Sequence, residues 1–431
     1  TSSLIGITND QGSGASGIES SLNSLLAGTN GKYIYANGRG NIIPGSEQVS
    51  VEAKSGTSVR LTIDRDVQWV AQNAISQAVA SSRAESGTVI VMDPKTGAIL
   101  AQASAPTFDP NISSTITLNK LRNPAVQEVY EPGSTGKVIT VAAALQEGLV
   151  TPQSIFTIPY KMKVADEYFH DHEKHPTQRL TTTGLLAVSS NTGSIQIGQK
   201  LGKDTLYNYL RKFGIGQSTN SKLPGESAGI LHPVKEWSGT SLPTIAFGQG
   251  YSLTAMQATS VFATIANDGV RVSPSILAGV VDESGKYTPA KENESVRVLS
   301  SQTASNMRAM MESVVSSNGT APAAAISGYR IAGKTGTANR FNTACKCYSG
   351  YTASFIGFAP ADQPKYVISV TIQDPKGMHW GGALAGPVFK KVMSFVLQSE
   401  RVQPTTAPVT TFKLTEAALK DVKKSTKKAG A

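Results

Sequence analysis

The sequence predicts an α+β domain. An apolar hairpin pattern lies over residues 87–104, mostly helical patterns with loops fill 117–320, and strand patterns return near 329–339, 351–358 and 366–373. Two strands, a long helical insertion and three more strands segregate the element types. An α/β fold would instead alternate them. At 431 residues the chain is long enough for one large domain and smaller pieces.

Residues 1–57 form a small Gly- and Ser-rich piece with short strand patterns. Asp64 to Ser82 reads as an amphipathic helix. Val89-Ile90-Val91-Met92 and Ala98-Ile99-Leu100-Ala101 flank Asp93-Pro94-Lys95-Thr96-Gly97, which reads as a hairpin turn. Glu131-Pro132-Gly133 precedes Ser134, and the apolar run Val138 to Leu145 ends at Gly148. That is a breaker, a helix start, a buried helix and a stop. A last apolar helix is expected from Pro387 to Leu397. The Thr/Pro run 404–411 reads as a linker, followed by an Ala- and Lys-rich tail that is either helical or unstructured. The divisions expected are 1–57, 58–401 and 402–431.

Hydrophobic residues make up 39% of the chain, broken by Gly and Pro as in a globular protein. No segment approaches about 18 uninterrupted apolar residues, the length that spans a bilayer. The formal charge is +10. Within 413–428, six lysines against Glu416 and Asp421 leave a net +4. Nucleic-acid binding would need basic residues interleaved with stacking aromatics or a known module, and neither is present.

The chemistry is carried by three motifs in order: Ser134-Thr135-Gly136-Lys137, Ser189-Ser190-Asn191 and Lys334-Thr335-Gly336-Thr337. Together they suit serine acyl transfer with lysine in place of histidine as base. Ser134 is expected on the first turn of its helix, where the N-terminus favours developing negative charge. Lys137, three residues on, shares its face. Ser189-Ser190-Asn191 interrupts an apolar stretch, and Gly336 inside a strand marks a close approach. Each motif alone is weak. A second S-x-x-K at Ser425 to Lys428 lies in the lysine-rich end with no apolar helix after it, and Lys95-Thr96-Gly97 is the hairpin turn; context rejects both.

His170, His172 and His175, with Asp171 and Glu173 between them, match no standard zinc spacing and read as a solvated loop. No metal is expected. Cys345 and Cys347 are two apart; bridging them needs a bent loop and closes only a tiny ring.

With these motifs in hand, the chain resembles the class B penicillin-binding proteins. The likeness extends to Gly17-Ile18-Glu19, Leu26-Ala27-Gly28, Leu61-Thr62-Ile63-Asp64 with Gln68, the Asp93–Asn111 region, Phe247-Gly248-Gln249-Gly250 and the 332–338 strand. Its details are most similar to the septal, FtsI-type branch, and Cys345-Lys346-Cys347-Tyr348 resembles actinobacterial members. The resemblance implies a five-stranded antiparallel sheet flanked by helices, with 1–57 as the remnant of an N-terminal pedestal. It implies D,D-transpeptidation of peptidoglycan stem peptides and covalent inhibition by β-lactams, with no cofactor. Ser134 would be the nucleophile, Lys137 the base and Ser189 the proton relay. Asn191, Lys334, Thr335, Gly336 and Thr337 would bind substrate, and the backbone N–H groups of Ser134 and Thr337 would form the oxyanion hole. Burial and the nearby charge of Lys334 would both lower the pKa of Lys137. A membrane glycosyltransferase and other division proteins are the implied partners. The implied location is the outer face of the bacterial membrane, held by an N-terminal anchor outside this sequence. A serine β-lactamase and a D,D-carboxypeptidase share the three motifs; a β-lactam sensor or division scaffold would be the non-catalytic counterpart.

Overall fold

The computed structural model describes residues 2–342, 345–405 and 412–421. Its centre is a five-stranded antiparallel sheet. Helix α1 (Arg65–Ser82) precedes strands β1 (Ser86–Met92) and β2 (Ile99–Ala105). The insertion contains α2 (Lys137–Gln146), α3 (Thr182–Ala187), α4 (Asn191–Leu201), α5 (Ala255–Ala266) and α6 (Ser301–Val315). Strands β3 (Ala332–Asn342), β4 (Cys347–Ala359) and β5 (Tyr366–Gln373) then lead into α7 (Gly381–Ser399). The spatial order is β3-β4-β5-β1-β2, so β3 is an edge.

The period-2 alternation of the strands divides the apolar residues between two cores. Val89, Val91, Ala101, Ala103, Val370 and Phe355 pack with α1 and α7 on one face. Ile90, Met92, Ile356 and Phe358 face the other way, toward α2, α5 and α6. Residues directly opposite on paired strands share a face, so Lys334, opposite Ile356, belongs to the α2 side, and Thr335, opposite Phe355, to the α7 side.

The boundaries have local causes. Asp64 caps α1 by accepting from Asp66 N and Val67 N. Replacing it with alanine should cost about 1 kcal/mol, visible as a lower thermal midpoint. Helix α7 begins at Gly381, earlier than the expected Pro387, which sits inside the helix. Two glycines do not announce a helix, but a Cβ on Gly381 would lie 2.2 Å from Ser354 O and 2.3 Å from Gly336 O. Packing against β3 and β4 overrides helix propensity there.

The first residues pack on the main core through Leu4 and Ile18, whereas the hairpin strands Lys32–Ile34 and Gln48–Val51 are exposed throughout. Part of the tail is ordered. Leu414 O accepts from Thr181 N at 3.0 Å, Thr415 bridges Leu180, and Arg179 pairs with Glu416 at 3.0 Å. Residues 416–421 are helical. Gly184 makes room for this docking, since a Cβ there would be 1.9 Å from Leu414 O. Most of the 404–411 run and the Ser425–Lys428 decoy lie outside the described residues.

Candidate active site

Ser134 lies in a 3-10 turn, Gly133–Thr135, that runs into α2 at Lys137; it therefore stands just before the α-helix, not on its first turn. Gly133 adopts φ +53° and donates to Gly248 O at 2.8 Å. Gly248 has φ +99°, and a Cβ there would fall 1.8 Å from Gly133 O. The Phe247–Gly250 loop thus buttresses the Ser134 turn by direct backbone contact. From the other side, Gly336 lets β3 approach, because its Cβ would stand 3.0 Å from Pro132 O and 2.3 Å from Ser354 Oγ.

Helices α3 and α4 meet at Ser189-Ser190-Asn191. Ser189 has φ +63°, a sparsely populated conformation for a non-glycine residue that occurs preferentially at functional sites. Ser190 caps α4, accepting from Gly193 N.

These segments bring the side chains together. Lys137 Nζ donates to Ser189 O at 2.5 Å and Asn191 Oδ1 at 2.6 Å, with Ser189 Oγ at 3.4 Å. Lys334 Nζ donates to the same Ser189 Oγ at 2.8 Å. Ser189 therefore stands between two lysines, both wholly buried. Thr335 Oγ1 bonds Thr320 Oγ1 at 2.7 Å, and Thr337 Oγ1 accepts from Gly381 N at 3.2 Å. Ser134 makes no side-chain hydrogen bond among the described residues. It is 9% exposed, at the meeting point of two cavities of about 230 and 510 Å³; Thr337 and His172 also line both.

Burial pushes the Lys137 ammonium down to about 7, against the opposing field of Asp171. Burial also holds Lys334 well below the usual lysine range, and the charge of Lys137 adds to it. Of the two causes expected for Lys137, burial acts and leads, while the like-charge repulsion falls on Lys334 instead.

The histidine-rich loop is exposed at His170, His172, Glu173 and Lys174, as expected of a solvated loop, and departs from that at Asp171 and His175. Asp171 is buried, His175 is only 15% exposed on its side chain, and His172 crosses the larger cavity to Trp380, ring centroids 5.1 Å apart. Among the described residues no group of three or more His, Cys, Asp or Glu is placed to hold a metal. Cys345 and Cys347 are bridged, with Cα atoms 5.2 Å apart across Lys346, whose φ of +54° supplies the bend. Nearby, Tyr348 donates to Glu131 at 3.1 Å, and burial raises the pKa of Glu131. Sequence reasoning singled out none of Asp171, His172, Trp380 or Glu131 as site residues. The one available signal was the density of His and acidic residues over 170–175.

The family model for the penicillin binding protein transpeptidase domain matches residues 87–394. Penicillin-binding protein PbpB of Mycolicibacterium smegmatis is 39% identical over 426 residues, covering 96% of this chain and 66% of its own length. The chain thus spans just under two thirds of that relative. The probable peptidoglycan D,D-transpeptidase PenA of Neisseria flavescens is 34% identical, covering 92% of this chain and 97% of its own. The crystal structure of penicillin-binding protein 3 from Mycobacterium tuberculosis complexed with aztreonam superposes with a TM-score of 0.86 at 37% identity, over 95% of this chain and 91% of that one.

Proposed function

The chain belongs to the penicillin-binding protein transpeptidase family, on its class B, FtsI-type branch, and on that premise we propose that it crosslinks peptidoglycan stem peptides through an acyl-enzyme on Ser134. The observation that supports this most is the hydrogen-bonded array of Lys137, Ser189, Asn191 and Lys334 beside a serine open to two cavities.

In this reading the neutral form of Lys137, abundant near pH 7, takes the Ser134 proton as Oγ attacks the carbonyl between two D-alanines. The backbone N–H groups of Ser134 and Thr337 hold the oxyanion. Ser189, placed between the two ammonium groups, relays the proton to the departing D-alanine. Asn191 positions the substrate amide, and Lys334, Thr335 and Thr337, with Gly336 keeping the strand close, bind the terminal carboxylate. An amine from a second stem peptide then attacks the ester, and Ser134 regains its proton.

Residues 58–401 would act as the catalytic unit and 1–57 as a pedestal remnant. The setting proposed is septal wall synthesis on the outer face of the bacterial membrane, beside a membrane glycosyltransferase and other division proteins.

A β-lactam would acylate the same serine. The carboxylates lining the two cavities are Asp171 and Glu173. Both oxygens of Asp171 are engaged in hydrogen bonds, and Glu173 is exposed. Neither is set to activate a hydrolytic water, which disfavours the β-lactamase reading. Fluorescent penicillin should therefore remain attached for an hour or longer after chasing with unlabelled drug. Loss of the label within minutes would move the assignment to a β-lactamase.

A further inference from the structure

The carboxylate of Asp171 is buried behind the Ser189–Asn191 turn and collects four donors within 3.0 Å, with Thr192 Oγ1 a more distant fifth at 3.5 Å. Oδ1 accepts from Asn191 N at 2.5 Å and Thr192 N at 2.9 Å; Oδ2 accepts from Ser190 Oγ at 2.8 Å and His175 Nε2 at 3.0 Å. Three of the four come from the turn that carries Ser189 and Asn191. The fourth partner is informative in itself. The other ring nitrogen of His175, Nδ1, lies 2.7 Å from Pro176 O, which can only accept. Both ring nitrogens therefore face acceptors, and both bonds form only when both nitrogens carry protons. The imidazolium form of His175 satisfies both contacts at once, and its carboxylate partner in turn holds the first turn of α4.

We propose that Asp171, backed by the His175 imidazolium, is a positioning residue for acyl transfer: it holds the Ser190–Thr192 turn so that Ser189 O and Asn191 Oδ1 stay against Lys137. This rests on the acyl-enzyme reading above. The ionisable groups around Asp171 are Lys137 from α2, His170, His172 and His175 from its own loop, and Lys334 from β3 beyond Ser189. Burial opposes the charge on His175, but the bonds to Pro176 and Asp171 outweigh it and hold its pKa above the ordinary value. Removing the Asp171 carboxylate removes the field that keeps Lys137 from falling further. That effect differs in kind from a loose turn. A merely structural role lowers the rate evenly at every pH; an electrostatic and positioning role also moves the profile.

The test has two parts. Nitrogen-detected NMR of the histidines, with His175→Gln for assignment, reads the pair directly. His175 should titrate above an ordinary histidine in the wild-type protein and lower in Asp171→Asn. The rate constant for acylation by fluorescent penicillin is then followed against pH. Asp171→Ala should lose about 100-fold at the plateau, the scale of a small misplacement of catalytic groups. Asp171→Asn, which keeps an acceptor for Asn191 and Thr192, should recover part of that rate and move the acid limb down by about one pH unit. An Asp171→Ala protein acylating at the wild-type rate, or an unmoved limb in Asp171→Asn, would overturn the proposal. So would a His175 that titrates at or below its ordinary value, a measurement that needs no activity and no folded Asp171 variant. A wild-type protein that takes no label at all would instead overturn the acyl-enzyme reading, leaving the NMR titration to decide the pair.

Discussion

Replacing Ser134 with alanine abolishes covalent labelling by penicillin and lowers turnover of a D-alanyl-D-alanine ester by about 10⁶-fold, the scale seen when a serine nucleophile is removed from an intact site. The substitution deletes one oxygen that has no hydrogen-bond partner among the described residues, at a position with 9% exposure. No polar group is orphaned by it, and the cavity left is smaller than a methyl group. The thermal midpoint should therefore stay within a few degrees of wild type, which separates lost chemistry from lost fold. Intact-mass measurement after incubation with penicillin gives the answer without kinetics. An adduct of one drug molecule on the alanine variant would place the nucleophile elsewhere and end the assignment of Ser134.

The second large effect is on pH. Burial depresses the ammonium of Lys137 to about 7, and only the neutral amine can act as base. Acylation should fall as pH drops through about 7, approaching ten-fold per unit below it, and level off above. Lys137→Met should lose 10²–10⁴-fold at the plateau, the usual worth of a general base, and flatten the limb. A limb that survives in Lys137→Met would assign the titration to another group, with Lys334 the nearest. The same lysine bears on stability with a definite sign. Its folded pKa lies below its unfolded value of 10.5, so the unfolded chain binds more protons between about 7 and 10.5 and the fold gains stability as pH rises through that window.

The sheet and the three motifs were legible because each has a local signature. The β1–β2 hairpin shows alternating apolar residues around Asp93–Gly97, and Ser134 sits between a breaker and an apolar helix. The sequence also marked Phe247–Gly250, whose Gly248 turns out to touch the Ser134 turn. Asp171 was not legible, because its role comes from meeting a turn nineteen to twenty-one residues later and from a histidine whose two nitrogens are both spoken for. Nothing in the spacing of a His- and acid-rich loop reports burial. The start of α7 was hidden for a different reason: Gly381 and Gly382 are there for contact with β3 and β4 and with Thr320, and glycine argues against helix when read locally. The order of causes acting on the two lysines is a property of desolvation, which sequence does not display.

The central sheet also sets an order of events during synthesis. Strand β1 sits between β2 and β5, so Val89 pairs with Ala103 a few residues on but also with Val370, with most of the chain between them. As the polypeptide emerges, β1 and β2 can close their hairpin at once, while the other edge of β1 stays open until the whole helical insertion and β3 to β5 have been made. Closing so long a loop is slow relative to local pairing. For that interval the nascent protein carries Val89, Ile90, Val91 and Met92 along an unpaired strand edge, the kind of surface that binds other strands. The cluster of Lys137, Ser189 and Lys334 beside Ser134 cannot be assembled any earlier, because Lys334 arrives on β3 only when that edge is being filled.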